Sequence, residues 1–332
     1  MFGRRLIALV ALSIGIVLVT FVLTHMVPGN PALANLGQNP TKSEIATFNQ
    51  QNGLNKPLPA QLGIYFWHLL HGNLGIDEQT GMSVRSELSQ TIPATAELAI
   101  ASIVMAMIFG VGFGLLAALR RDTITDAVLR ILSLIGVSVP TFWLALILLY
   151  LLFYKAGIFP GGSRLSPSDT APPHITGMYT FDALVAGRWS TFWDAFKHLI
   201  LPASVLAAWS IGLLTRYTRA AVLEVIDQDY IRAATAKGLP RRSIVFGHIL
   251  RAALPSIITV VGLAFASVMT GAVLVENIFS WPGLGQYAYQ SSTSLDLPAI
   301  AGASLFIAVV YIVINFIVDV LYGVLDPRVR VE

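Results

Sequence analysis

Long apolar stretches without a charged residue recur along the chain. An α-helix needs about 20 mainly apolar residues to cross about 30 Å of hydrocarbon, because each residue advances it by about 1.5 Å. The fourth stretch is short, but Arg216 and Arg219 follow it, and their stems can lie along the helix while their charged ends reach the lipid head groups. The pattern therefore predicts six transmembrane helices. The charge-free stretches are residues 6–27, 98–119, 131–154, 199–215, 252–275 and 297–318.

The composition also indicates that lipid surrounds much of the chain. Of the 332 residues, 12% are charged and 55% are hydrophobic, and the mean hydropathy is +0.71. A soluble core of this length cannot bury so much apolar surface. The first stretch exceeds the roughly 7 to 15 apolar residues of a secretory signal peptide, which favours a retained helix. We expect an all-α integral membrane protein with one domain over residues 1–332 and helices at about 6–27, 96–119, 129–154, 198–223, 252–277 and 298–322.

The positions of Lys and Arg indicate the orientation of these helices, since positive residues in short loops tend to stay in the cytoplasm. With an inside N-terminus, the inner segments hold 14 of the 21 Lys and Arg residues and the longer outer segments hold 7. Both termini are therefore expected in the cytoplasm. Two long segments, at about 28–93 and 156–197, are expected outside. We interpret them either as covers for the outer face of the bundle or as docking sites for an external partner.

The segment between the fourth and fifth predicted helices, at about 227–245, has the pattern of a short helix with a signal at each end. Asp229 is expected to accept hydrogen bonds from free backbone N–H groups at the helix start. Lys237 complements the helix dipole at the other end, and Gly238 with Pro240 provides a stop. Both ends of this helix are thus specified locally.

One face of this short helix carries small or apolar residues. Ile231, Ala234 and Gly238 recur at positions i, i+3 and i+7. Because Ala and Gly have little side-chain bulk, another protein can approach the backbone closely, and a rigid short helix loses little entropy on docking. The alternative is a basic helix that rests on anionic lipid head groups. The pattern by itself leaves both interpretations open.

A run within this segment resembles a known signature. Residues 229–239, Asp-Tyr-Ile-Arg-Ala-Ala-Thr-Ala-Lys-Gly-Leu, are similar to the EAA signature of permease subunits in ATP-binding-cassette (ABC) importers, in the version typical of dipeptide and oligopeptide systems. Arg232 stands where the general signature has Glu, and the distance from Gly238 to Pro255 is longer than in the short general form; both departures resemble the peptide branch. Further matching segments follow one another in order, at 25–31, 72–75, 93–98, 139–143, 276–285 and 325–330. The chain is most similar to the B-type subunit of dipeptide permeases.

This resemblance implies a type I ABC importer permease fold in which the short helix is a coupling helix. It would sit in a groove of an ATP-hydrolysing subunit and transmit nucleotide-driven closure to the membrane helices. No Gly-x-x-x-x-Gly-Lys-Ser/Thr loop occurs in the chain, so ATP and Mg are expected on partner subunits and no cofactor on this one. The residues implied to contact the ATP-binding subunit are Asp229, Tyr230, Ile231, Arg232, Ala233, Ala234, Lys237, Gly238 and Leu239.

The same resemblance implies an assembly and a cargo. The partners are a second, paralogous permease subunit in a heterodimer, two ATP-binding subunits, an extracytoplasmic substrate-binding protein and the lipid bilayer of a bacterial plasma (inner) membrane. No nucleic-acid partner is expected, because the topology accounts for the net charge of +3. The implied cargo is a dipeptide or oligopeptide. Nickel chelates, glutathione or another small solute are the alternatives within the same class.

The turn after the fifth predicted helix is a candidate outer gate. Its candidate residues are Glu276, Phe279, Trp281, Pro282 and Gly283. A structural interpretation is equally open, because Trp favours the membrane interface and Pro and Gly shape sharp loops.

Three other polar residues lie near predicted membrane boundaries. Glu97 is interpreted as a structural residue favoured by the helix dipole in the first turn of the second span. Asn315 and Asp319 near the inner end of the sixth span are expected to pair with a basic neighbour or another subunit.

Two other classes of protein fit the sequence less well. An intramembrane hydrolase needs a nucleophile, a base and an orienting group together, but no Gly-x-Ser-x-Gly or His-Glu-x-x-His motif occurs and there is no cysteine. We expect no catalytic residue and no metal site on this chain. An ion-coupled secondary transporter usually carries ionisable groups near the middle of the bilayer, whereas the centres of the predicted spans hold none.

Overall fold

The structure is a computed structural model, and it describes residues 14–15, 17–19, 21–22, 41–51, 53–77, 79–294 and 296–325. These residues form helices joined by loops, and β pairing among them is limited to a bridge between Ile76 and Ser83. The predicted all-α class is confirmed. In chain order the helices are α1 Lys42–Gln51, α2 Leu58–Leu70, α3 Val84–Leu119, α4 Ile124–Ser138, α5 Thr141–Lys155, α6 Tyr179–Val185, α7 Trp189–Ile226, α8 Asp229–Ala236, α9 Leu250–Ile278, α10 Leu284–Ser294 and α11 Leu297–Leu325.

Three helices in the described part of the chain are long and apolar enough to cross a membrane. They are α3, α7 and a helix over Arg241–Phe265 that includes the beginning of α9. The pair α4 and α5 adds a fourth span if it is counted as one. The predicted first span lies mostly outside the described residues, although residues 14–15, 17–19 and 21–22 are helical. The predicted sixth span lies within α11.

The predicted third span, at 129–154, is divided into two helices. α4 and α5 meet at an angle of 106°. Val139 (ψ 126°) and Pro140 (ψ 133°) between them are extended. A proline has no backbone N–H and its ring disfavours helical geometry in the residue before it, so the helix ends there despite the apolar sequence. The apolar run therefore forms a broken span or a re-entrant segment.

The chain forms two compact units. The first comprises Met1–Ile92 and Gln286–Val313, and the second comprises Pro93–Gly285 and Ile314–Glu332. Within the first unit, Gly302 of α11 lies against Val84 of α3, and a Cβ added at Gly302 would be 2.5 Å from Val84 Cγ1. The glycine therefore permits a closer approach than any other residue could.

The long helix α7 lies at the centre of the second unit, where it packs against α3, α4 and α9. Glycines permit two of these contacts. A Cβ at Gly114 of α3 would be 2.6 Å from Thr218 Cβ, and a Cβ at Gly212 of α7 would be 2.5 Å from the Ser133 carbonyl oxygen. Small residues at helix crossings of this kind bring backbones together, which is how helices pack where lipid offers no hydrophobic driving force.

Apolar side chains of α7 contribute to two buried clusters in this unit. The first half of α7 packs with α3, with α9 and with residues that follow α9. The second half packs with α8, the segment that leads into α9 and the beginning of α9. Members of the first cluster include Leu199, Leu201, Val205, Val275, Phe279 and Trp281. Members of the second include Leu214, Val222, Ile231, Ala234, Ile244, Val245 and Ile249.

Candidate functional site

The predicted short helix between the fourth and fifth spans is α8, Asp229–Ala236. Its C-terminal end has the hydrogen bonds of a Schellman motif, in which Leu239 N–H donates to the Ala234 carbonyl (3.3 Å) and Gly238 N–H to the Thr235 carbonyl (3.0 Å). Gly238 has a φ of +74°, which a residue with a side chain adopts only with strain. The predicted C-terminal stop is confirmed, and Pro240 then begins the next helical segment.

The N-terminal end of α8 differs from the prediction. The N-cap residue is Gln228, and no side chain forms a capping hydrogen bond there. Asp229 is instead the first helical residue, and its carboxylate lies 3.6 Å from the guanidinium of Arg232. The prediction that Asp229 caps the helix is therefore wrong, although a carboxylate in the first turn still interacts favourably with the helix dipole.

The face of α8 that contains Ile231 and Ala234 is turned into the protein. These side chains are only 4% and 7% exposed, and they belong to the buried cluster that includes Val222 of α7. This corrects the sequence-based interpretation, which assigned Ile231, Ala234 and Gly238 to the docking face. Burial of two of the three shows that this face fixes α8 to its own chain.

The opposite face of α8 is open. Tyr230 is 49% exposed and Leu239 is 39% exposed. The other predicted contact residues on this side are exposed as well: Asp229, Arg232, Ala233, Lys237 and Gly238. Tyr230, Ala233 and Lys237 follow the i, i+3, i+7 spacing of one helix face. The helix is therefore amphipathic, and the surface it presents is the one that carries Tyr230.

The predicted gate residues lie at the end of α9 and in the turn that follows it, residues 279–285, which we call the outer turn. Glu276 is fully buried, and the Thr95 hydroxyl of α3 donates to its Oε1 at 2.6 Å. The N–H of Leu284 donates to the same hydroxyl at 2.7 Å. Thr95 thus joins the end of α9 to the start of α10.

Trp281 adds a second connection between the outer turn and α3. Its indole Nε1–H donates to the Ala94 carbonyl at 2.9 Å, and its backbone N–H donates to the Glu276 carbonyl at 2.8 Å. A Cβ added at Gly283 would collide with the Glu276 carboxyl group, so the chain passes closer there than a side chain allows. Phe279, Trp281 and Gly283 are buried with Glu276, whereas Pro282 is exposed.

A buried ion pair next to this turn was not foreseen from the sequence. Arg164 Nη2 lies 2.6 Å from Glu97 Oε2, and the two side chains are 5% and 4% exposed. Thr180 donates to Glu97 Oε1 through both its N–H (2.7 Å) and its hydroxyl (2.6 Å). The guanidinium also stacks on the Tyr179 ring, 3.6 Å from the ring centroid, and donates to the Gly177 carbonyl. Arg164 therefore fixes the predicted outer segment to α3.

The position of Glu97 corrects another prediction. The helix that contains it begins at Val84, so Glu97 lies well inside α3 and the helix dipole does not explain it. Its partner Arg164 is 67 residues away, and no local spacing relates them. The only sequence signal is a pair of opposite charges beside predicted membrane boundaries. The side chains of Asn315 and Asp319 lie outside the described part of the structure.

The loop around Arg164 has a defined structure of its own. Ser166 donates to Asp194 through its N–H and its hydroxyl, both at 2.7 Å. Asp182 accepts hydrogen bonds from Thr176 and from the backbone N–H groups of Ile175 and Gly177. Burial alone would raise the pKa of Asp182, but these hydrogen bonds outweigh burial and hold the pKa below its usual value.

The loop also meets the outer turn directly. The N–H of Ser163 donates to the Phe279 carbonyl at 2.9 Å. A Cβ added at Gly162 would be 2.6 Å from the same carbonyl oxygen. The outer turn is therefore held from two sides, by α3 and by this loop.

Comparison with known families identifies the chain over nearly its full length. Residues 110–331 match the family described as "Binding-protein-dependent transport system inner membrane component". Residues 1–82 match the family described as "Binding-prot-dependent transport system membrane comp, N-term".

Individual relatives agree with this assignment. The "Probable D,D-dipeptide transport system permease protein DdpB" of Escherichia coli (strain K12) is 40% identical over 98% of this chain and 96% of the relative. The "Dipeptide transport system permease protein DppB" of Alkalihalophilus pseudofirmus is 37% identical over 98% of both chains. A solved structure of the inward-facing MetNI methionine ABC transporter has a similar fold, with a TM-score of 0.52 and 16% identity over 72% of this chain and 96% of that one. The chain belongs to the family of inner-membrane components of binding-protein-dependent transport systems.

Proposed function

We propose that this chain forms half of the translocation path of an ABC importer for dipeptides or oligopeptides in a bacterial inner membrane. Relatives that are 37–40% identical over nearly the whole chain are named as dipeptide permeases, which supports peptide cargo over nickel chelates or glutathione. Its partners in this proposal are a paralogous permease subunit, two ATP-binding subunits that carry ATP and Mg, and an extracytoplasmic binding protein.

One observation carries the proposed coupling mechanism. α8 is fixed to the transmembrane helices by Ile231 and Ala234, while Tyr230 and Ala233 face outward. A helix anchored on one side and open on the other can transmit force, because a partner that binds the open face moves the residues behind the anchored face. We assign the ATP-binding subunit to the open face.

Three substitutions of alanine by tryptophan test this assignment. Ala233→Trp places a ring on the open face and should abolish co-purification of the ATP-binding subunit and ATP-dependent uptake, while the chain still inserts into membranes. Ala220→Trp makes the same change at an exposed site near the end of α7 and should retain both. Ala234→Trp places the ring in the buried cluster and should lower the yield of folded chain, because overpacking a core is destabilising.

The coupling proposal fails if Ala233→Trp retains full association and uptake. If Ala220→Trp also lost association with the ATP-binding subunit and ATP-dependent uptake, any bulky substitution on this side of the protein would be disruptive. Gly238→Trp is a less informative variant, because the φ of +74° at Gly238 would strain any side chain, whether or not a partner binds this surface.

The cargo is tested separately with the intact complex in vesicles. Uptake of a labelled dipeptide should require ATP and should resist a protonophore. Competition by glutathione or a nickel chelate at the concentration that saturates dipeptide uptake would contradict peptide cargo and leave the coupling proposal intact. Loss of uptake on addition of the protonophore would instead favour an ion-coupled transporter.

We also propose that the outer turn forms part of the outer gate. Pro282 is exposed in this turn, and the sequence contains no cysteine, so Pro282→Cys would provide a unique attachment point. A crosslink from this position to the paralogous permease subunit should stop uptake, and reduction of the crosslink should restore it. Continued uptake with the crosslink fully formed would reject the gate.

A further inference from the structure

A cavity that none of these roles uses lies between α4 and the second half of α7. Its volume is about 230 Å³, and its lining residues are Arg130, Ser133, Leu134, Thr215, Arg216 and Arg219. Since a water molecule occupies about 30 Å³ of liquid, the cavity has room for a group of several heavy atoms. Arginine provides three of the six lining residues.

The cavity has an excess of positive charge. Asp126 is fully buried and accepts two hydrogen bonds from Arg219, at 2.7 and 2.8 Å, and its Oδ1 lies 3.5 Å from Arg130 Nε. Arg216 forms no ion pair with any residue in the described ranges. Asp122, the other acid close to Arg219, is exposed and pairs with an arginine that does not line the cavity. One carboxylate thus balances three guanidinium groups.

A buried hydroxyl in the wall points to an oxygen-rich ligand. Thr215 is 2% exposed, and its Oγ1 has no hydrogen-bond partner among the described residues. Buried polar atoms in folded proteins are almost always paired, so an unpaired hydroxyl beside a cavity indicates a missing partner. An acceptor oxygen of an anion would pair with it and would also interact with the arginines.

The position of the cavity along α7 matches the level expected for lipid phosphates. A cluster of aromatic residues in ring contact, Trp189, Phe192, Trp193 and Phe196, begins α7. Trp in particular favours the membrane interface. Arg216 follows Phe196 by 20 residues, which in a helix is about 30 Å, the thickness of the hydrocarbon core. Arg216 is therefore placed at the opposite head-group layer, on the side where the Lys and Arg distribution predicts the cytoplasm.

We propose that this cavity binds the phosphate of an anionic lipid from the inner leaflet. Arg216 provides the unpaired positive charge, and the Thr215 hydroxyl donates to a phosphate oxygen. The acyl chains lie along α4, where Ile131, Leu134 and Ile135 are about half exposed beside the cavity. Basic cavities between transmembrane helices on the cytoplasmic side are suited to such head groups.

Retention of phosphatidylglycerol by the full chain, purified with its co-purifying subunits, tests the site by native mass spectrometry. Arg216→Gln should lower lipid occupancy about fivefold, the factor that one basic residue contributes at an anionic surface. Thr215→Val removes only the hydroxyl at nearly constant volume and should also lower occupancy. Arg251→Gln is the matched control, because Arg251 is exposed at the beginning of α9 but does not line the cavity.

Each result supports or overturns the site. Loss of bound phosphatidylglycerol in Arg216→Gln and Thr215→Val, with unchanged retention in Arg251→Gln, supports it. Equal loss in Arg216→Gln and Arg251→Gln indicates general attraction to anionic lipid and overturns it, as does unchanged retention in both cavity variants. Displacement of the lipid by millimolar inorganic phosphate would assign the cavity to a soluble anion. Loss of a subunit from Arg216→Gln with lipid retained would assign Arg216 to a protein contact.

Discussion

Replacement of Arg164 by methionine should release the predicted outer segment from α3. The carboxylate of Glu97 would keep its two hydrogen bonds from Thr180 but would lose its only described cationic partner, 2.6 Å away. Both charges are about 95% buried. Removal of one member of a buried ion pair typically costs about 3–5 kcal/mol, because the remaining charge is left without compensation. Methionine keeps much of the arginine stem, so the lost charge dominates the change.

The assay is hydrogen exchange at the backbone amides of residues 176–182 in the purified complex. These amides belong to the segment that the ion pair holds, and exchange reports the free energy of local opening. Since every 1.4 kcal/mol is a factor of ten, a loss of about 3 kcal/mol corresponds to a roughly hundredfold faster exchange. Amides in the second half of α7, which lie in the other buried cluster, should exchange at their original rates.

Two further variants distinguish the ion pair from its surroundings. Arg121→Met breaks exposed pairs with Asp122 at 3.3 Å and with Asp227 at 3.6 Å, and it should change the free energy of unfolding by less than about 1 kcal/mol. The double variant Glu97→Gln with Arg164→Met should cost less than the sum of the single variants, because neither then leaves an unpaired buried charge. Additive costs, or an effect of Arg164→Met no larger than that of Arg121→Met, would contradict a stabilising role for the buried ion pair.

Three other substitutions test close contacts and hydrogen bonds elsewhere in the protein. Gly283→Ala should lower stability by about 1–3 kcal/mol in thermal unfolding, because its Cβ would collide with the Glu276 carboxyl group, whereas Gly271→Ala would make only an ordinary contact and should be mild. Gly114→Ala should separate α3 from α7 and lower the yield of folded chain, while Gly112→Ala in the same helix meets nothing within 4 Å and should be neutral or stabilising. Because the pKa of Asp182 is lowered in the folded state, its contribution to stability is complete above the ordinary value of 3.8 and is lost as the pH falls from there through the folded-state pKa. Asp182→Asn should remove this acid dependence from unfolding midpoints measured over a series of pH values. An unchanged dependence would contradict the role of Asp182.

The sequence was most informative where structure is determined locally. Gly238 and Pro240 mark the end of α8 because a left-handed φ and a missing N–H act within a few residues. The break at Pro140 had the same kind of local signal, but the apolar residues on both sides dominated the prediction of a single span. The predicted span at 96–119 lies inside α3, and the helix begins earlier because polar residues before the apolar stretch continue it back to Val84.

Contacts between residues that are distant in the chain could not be predicted from a single sequence. The buried face of α8 is decided by Val222, Ile244 and other members of the same cluster, which no periodicity within eight residues can identify. Arg164 and Glu97 are 67 positions apart, and Thr95 and Glu276 are 181 apart. Each pair involves a polar group whose burial depends on how helices assemble. Sequence patterns predicted elements such as α8, whereas the polar contacts between helices depend on the assembled fold.

The two sites of the second unit are connected by continuous structure. α7 contributes to the buried cluster that holds α8 and to the one that holds the outer turn, and over its 38 residues it extends about 57 Å. α9 begins just after the segment that packs on α8 and ends beside Glu276. α7 and α9 therefore form continuous packed links between α8 and the outer turn, which Thr95, Trp281 and Ser163 hold by hydrogen bonds. Under the proposed function, weakening one of these hydrogen bonds should therefore reduce ATP-dependent uptake more than it reduces ATP hydrolysis.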